Sequence, residues 1–145
     1  NKHLAEVDGI APLLRRPQAT RQGIYAYVFR YNDQAFDGVS VETFRQAMSA
    51  ELGASVTGVY HPLNHSPLYQ PQTKRRYRLS DAHWRAIEPT QFETPIAEHA
   101  YANEAVVLSH PHLLAEVDAM QAIVEAAAKI HERRSELAAW AAAHT

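Results

Sequence analysis

"GIYAYVFRY", residues 23–31, sets Ile24, Ala26, Val28 and Arg30 on one side of an extended chain and Tyr25, Tyr27, Phe29 and Tyr31 on the other. Alternation with period two, carried by β-branched and aromatic residues, marks a strand, because successive side chains leave a pleated backbone on opposite faces. Downstream, Asn32 to Gly38 reads as a polar turn, and Ser40 as the N-cap of a helix from Val41 to Leu52 with Glu42 in its first turn. Val41, Phe44, Met48 and Leu52 share one face at helical spacing, and Gly53 closes the end. "SVTGVY", residues 55–60, reads as a second strand and "AVVL", residues 105–108, as a third.

Between these strands Ser80 is placed to cap a short helix holding His83 and Trp84, and Pro95 suits the first turn of another. After "SHPHLL", Val117, Met120, Ile123, Val124, Ala127 and Ile130 keep a helical stripe, which "ERRSELAAWAAAHT" continues with Leu137 and Trp140 as apolar anchors. The expected class is α/β (α+β): a small mixed or antiparallel sheet of about three to four strands, flanked by helices, with local β-α-β character. Residues 1–20 begin like a helix tail at Leu4 and Val7, stop at Asp8-Gly9, and run through Pro12 and Pro17 as an extended connector, leaving 21–145 as the domain. The chain opens at Asn1 without a methionine, and is expected to be a piece of something longer.

With 145 residues, 46% hydrophobic and 21% charged, the chain has the size and composition of one ordinary globular domain. A formal charge of -2 argues against a general nucleic-acid binder, which needs a broad basic surface to neutralise phosphates. The absence of cysteine excludes disulfides, thiolate metal sites and cysteine nucleophiles, and is compatible with a cytoplasmic protein. No apolar stretch approaches the length of a membrane span.

The stretch that invites a functional reading is "YHPLNHSPLYQPQTKRRYRLS", residues 60–80. Pro62, Pro67 and Pro71 remove backbone donors and favour extended neighbours, so the segment is an ordered but irregular loop, starting where a strand ends. Irregular loops of that length in compact domains are usually functional or disordered. His61 and His65 are four apart, a metal-binding spacing on a helix, but Pro62 lies between them. His110 and His112 flank Pro111 with no evident third ligand. There is no G-x-S-x-G elbow, the five glycines are too dispersed for a phosphate loop, and Lys74, Arg75, Arg76 and Arg78 form the one strong cation cluster.

The order of a Y-A-Y-V-F-R strand, an amphipathic helix, a segment ending in Tyr60 and a Y-x-P-L-x-x-x-P-x-Y loop resembles the C-terminal part of the DegT/DnrJ/EryC1/StrS aminotransferases. "LAEVDGIAPLLRRP" is similar to the link out of that family's large domain, and "PIAEHAYANEAVVL" with the last helix to its ending. "HPLNHSPLYQPQTKRRY" most resembles the branch acting on scyllo-inosose and 2-deoxy-scyllo-inosose; Asn64 and Ser66 stand where the broad family often has histidine and glutamine. The resemblance implies a homodimeric fold-type I enzyme that uses pyridoxal phosphate to aminate keto-sugars or keto-cyclitols, with glutamine or glutamate as donor, in aminoglycoside-type biosynthesis.

It also implies that Tyr60, His61, Asn64, His65 and Tyr69 contact a polyol substrate, whose many hydroxyls suit amide, imidazole and phenol groups. Lys74 and Arg75 would attract the carboxylate of the amino donor. None of Lys2, Lys74 and Lys129 sits in the family's Schiff-base context. The cofactor is therefore expected mainly in an absent large domain, with no catalytic residue here and no activity from this chain alone. Two other readings stay open: a stand-alone interaction or anion-binding module presenting the basic loop, and a histidine-based metalloprotein.

Overall fold

The computed structural model describes residues 2–21, 23–73, 76 and 78–144. They form two compact units, one of Asn1–Val59 with Ala102–Thr145 and one of Tyr60–Tyr101. The first unit is organised around β2, Ala26–Tyr31, the centre of a three-stranded antiparallel sheet between β1, Ile10–Pro12, and β3, Ala105–Ser109. Tyr31 lies opposite Ile10, and Phe29 opposite both Pro12 and Val106. The alternation read from the sequence is the one observed: Phe29 and Tyr31 are buried while Arg30 between them is exposed.

Helix α1, Val41–Leu52, and helix α4, Val117–Glu132, close the core with Phe44 and Met48 from one and Ile123, Ala126, Ala127 and Ile130 from the other. Phe44 stacks on Tyr31 at 4.5 Å and receives the edge of Phe36 at 5.2 Å, an aromatic cluster with no water-accessible face. The caps of α1 are those expected. Ser40 Oγ accepts from the Thr43 amide, and Gly53 ends the helix at φ 60°.

Three expectations are corrected. Residues 2–12 are not a bare connector: Leu4, Val7 and Ile10 are buried in the core, and Ile10–Pro12 pairs with β2. Gly9 makes this possible, since at φ 79° it turns the chain where an added Cβ would meet that of Ala35 at 2.5 Å. Pro12 is tolerated because it ends an edge strand, where its missing N–H leaves no rung unmade. Beyond it, Leu13 and Leu14 are exposed.

The second correction is that 55–60 is not a strand but a single bridge, Thr57 to Val107, so the β-α-β character is absent. Continuing the antiparallel ladder would pair Val59 with Ala105, and the Ala105 carbonyl is already taken by Arg45. Arg45 donates to it from Nε at 3.1 Å and Nη2 at 2.8 Å. Gly58 leaves room for that guanidinium, which an added Cβ would approach at 2.8 Å. Thirdly, the last helix breaks at Arg133, and α5, Arg134–His144, starts anew, with Ser135 Oγ donating to Asp37 at 2.7 Å. Leu137 packs on the core, whereas Trp140 and Val117 are exposed.

The second unit carries α2, Asp81–Ala86, and α3, Pro95–His99, with 3-10 turns at Leu63–His65, Pro71–Thr73 and Pro89–Gln91. As expected, Ser80 Oγ caps α2 by accepting from the His83 amide, and Trp84 is buried. Among the described residues, no helix is long and apolar enough to cross a membrane.

Candidate functional site

The proline loop is not held by regular structure. It is held by a polar knot. Pro62 gives way to the Leu63–His65 turn, closed by His65 N–H to Pro62 O at 3.0 Å, which sends the adjacent Asn64 and His65 toward one partner, Glu98 on α3. Asn64 is buried, and its amide nitrogen donates to Phe92 O at 2.8 Å and Glu98 Oε1 at 3.0 Å. Its oxygen accepts from Thr94 Oγ1 at 3.0 Å, so three of its four hydrogen-bonding positions are used inside the unit.

Glu98 Oε1 also accepts the Thr94 amide at 3.1 Å and faces His65 Nε2 at 3.1 Å. The Thr94 hydroxyl lies within reach of both Asn64 Oδ1 and Glu98 Oε1, and its single proton serves one at a time. The Asn64 amide and the Thr94 backbone N–H, with His65 adding to them, favour the charged carboxylate and hold Glu98 down at about 2, from 4.5.

A folded-state value below the unfolded one means that the ionised carboxylate stabilises this unit. The contribution is complete above about pH 4.5 and is lost as pH falls through about 2. A carboxyl-carbon NMR titration of the chain is expected to place Glu98 well below the ordinary glutamate value of 4.5. Between those two pH values the wild-type chain should lose more stability than Glu98→Gln. A Glu98 midpoint near 4.5 would mean that the knot does not form.

The remaining expected site residues fall around this knot. The exposed His61 packs against the Tyr101 ring at 4.4 Å and meets the His65 ring edge-on at 6.3 Å. Tyr69 is half-exposed and, with Asn64, Ile87, Pro89 and Phe92, lines an open hollow of ≈ 360 Å³. Tyr60 is almost wholly exposed, and Lys74 and Arg75 lie outside the described residues. The structure thus brings together His61, Asn64, His65 and Tyr69, and adds Glu98 and Thr94, which sequence reading passed over. A faint signal existed: Thr94-Pro95 opens a helix whose first-turn Glu98 can reach back to the free amide of Thr94. No group of three or more His, Asp or Glu side chains able to hold a metal occurs among the described residues.

Comparison with known proteins covers nearly all of this chain. It is 33% identical over 139 residues to the L-glutamine:2-deoxy-scyllo-inosose aminotransferase of Streptoalloteichus tenebrarius, and 36% over 140 residues to that of Streptomyces fradiae. With the L-glutamine:scyllo-inosose aminotransferase of Streptomyces griseus it shares 34% over 122 residues. By sequence, the chain is similar over nearly its whole length to scyllo-inosose aminotransferases. These alignments take in 96%, 92% and 84% of the chain but only 32%, 33% and 28% of the relatives, so it spans about a third of their length. No family model matches it.

Proposed function

We propose that this chain is the small-domain portion of a homodimeric, cytoplasmic aminotransferase that moves an amino group from glutamine to a keto-cyclitol. The observation that carries the reading is the match of nearly the whole chain to relatives bearing that activity in their names, over a third of their length. Transamination of this kind uses pyridoxal phosphate, which supplies an electron sink for the carbon that gains or loses the amine. The described residues do not fit that group. Lys2 is exposed in a surface turn, and Lys129 Nζ is held by Glu51 at 2.8 Å, so no lysine among them is placed for a Schiff base. The chemical step is assigned to the rest of the enzyme, and this chain contributes recognition.

That contribution falls to the loop over Tyr60–Tyr69. A cyclitol offers many hydroxyls and little apolar area, so it is bound by donors and acceptors held in place beforehand. His61, His65 and Tyr69 present such groups at the surface, and the buried Asn64, tied to the partly exposed Glu98, fixes the backbone beneath them. Lys74 and Arg75 are assigned to the donor's carboxylate. The full-length protein, loaded with cofactor and given glutamine, is expected to aminate scyllo-inosose or 2-deoxy-scyllo-inosose. Failure to aminate either ketone, with cofactor bound, would sink this reading and favour the interaction module.

A further inference from the structure

His65 can face Glu98 in only one way. An ionised carboxylate has acceptors and no donor, so the hydrogen between Glu98 Oε1 and His65 Nε2, 3.1 Å apart, belongs to the imidazole. The low carboxyl pKa keeps Glu98 in that acceptor-only form throughout the neutral range. In a neutral ring the other nitrogen is then an acceptor, and among the described residues Nδ1 has no hydrogen-bond partner. The ring is also buttressed from the side: His61 meets it edge-on at 6.3 Å and is itself packed on Tyr101 at 4.4 Å. The His65 side chain is about half exposed, at 47%, so the ring is open to a ligand.

We propose that Glu98 is a positioning residue that fixes the Nε2–H of His65, so that in the neutral form of the ring Nδ1 presents a hydrogen-bond acceptor to a hydroxyl of the polyol substrate. The identity of that ligand rests on the function proposed above; the arrangement of the ring does not. The consequence for specificity is a sign. The substrate must donate at this position, so a hydroxyl is accepted there, whereas a ketone oxygen, an ether or a bare methylene leaves Nδ1 unpaired. Glu98 acts here as the orienting carboxylate does for metal-bound or catalytic imidazoles, through the far nitrogen and without touching the ligand.

The test begins with the full chain, labelled with nitrogen-15 at histidine and studied by long-range proton–nitrogen correlation at a pH where the ring is neutral. His65, assigned by loss of its signals in His65→Gln, is expected to show a protonated Nε2 and an unprotonated Nδ1, with the Nε2 proton protected from exchange. Glu98→Ala should abolish that protection, and Glu98→Gln, whose amide oxygen can accept in the same place, should restore it. An Nδ1–H tautomer in the wild type overturns the proposal whatever the variants do. So does an Nε2 proton equally protected in Glu98→Ala.

The second arm is kinetic, in the full-length enzyme with cofactor. His65→Ala and Glu98→Ala are each expected to raise KM for the keto-cyclitol about threefold to tenfold with kcat retained, the effect of one lost hydrogen bond. The double variant should be no worse than His65→Ala, because both changes remove the same contact. Additive effects would separate Glu98 from His65 and overturn the coupling. The expected tautomer, with KM unchanged in both variants, would instead remove the substrate reading and leave the positioning of the ring standing.

Discussion

Phe44→Ala is expected to lower the stability of the chain by about 4 kcal/mol, the middle of the range for emptying a buried aromatic site. Phe44 is fully buried and meets Tyr31 at 4.5 Å and Phe36 at 5.2 Å, so its removal deprives two other aromatic rings of a packing partner at once. Tyr31 cannot move into the gap without cost, because its hydroxyl donates to Val39 O at 2.8 Å and its backbone is locked in the central strand. A domain of this size is stable by about 5–15 kcal/mol, so the variant should unfold at much lower urea with the slope of the transition unchanged. A loss under about 1.5 kcal/mol would show that the core recloses around the site, contrary to the packing described.

Arg45→Met is expected to cost about 2–3 kcal/mol, although it replaces a charged residue in the interior by an apolar one of similar length. The reason is the acceptor left behind. Arg45 makes two donations to Ala105 O and a third to Glu42 at 3.0 Å, and without them the Ala105 carbonyl is buried with no donor from this side chain. The compensating event would be a lengthened ladder, with the Val59 amide swinging to the vacated carbonyl. Hydrogen exchange can read it. Unchanged stability together with new protection at Val59 would mean that the ladder replaces the arginine fully, and that the chain ends its pairing at Thr57 for some reason other than Arg45.

The elements legible in the sequence were those whose evidence is local. The alternation at 24–31 placed β2, Ser40 and Gly53 bracketed α1, and Ser80 and Pro95 marked the two short helices, because caps and period depend on residues a few positions apart. The loop's histidines, Asn64 and Tyr69 were likewise named from one contiguous stretch. Glu98 and Thr94 were not, since their tie to Asn64 spans about thirty residues, and nothing in the periodicity of either segment announces the other. The same limit explains 55–60: its β-branched residues suit a strand, but an arginine from α1 takes the carbonyl the next rung required.

By itself, then, the sequence determined the class of fold, the central strand, the main helix, the irregular character of the proline loop and kinship to the scyllo-inosose aminotransferases. Each follows from short-range sterics and hydrogen bonding, or from residue-by-residue likeness. Tertiary structure alone decided that residues 4–12 belong to the core, that the second strand shrinks to one bridge, and that Glu98 gathers Asn64, Thr94 and His65 into one knot. The first turns on apolar burial, and the other two on which distant partner reaches a buried polar group. That competition is settled in space, because an unpaired group in the interior costs more than any local preference supplies.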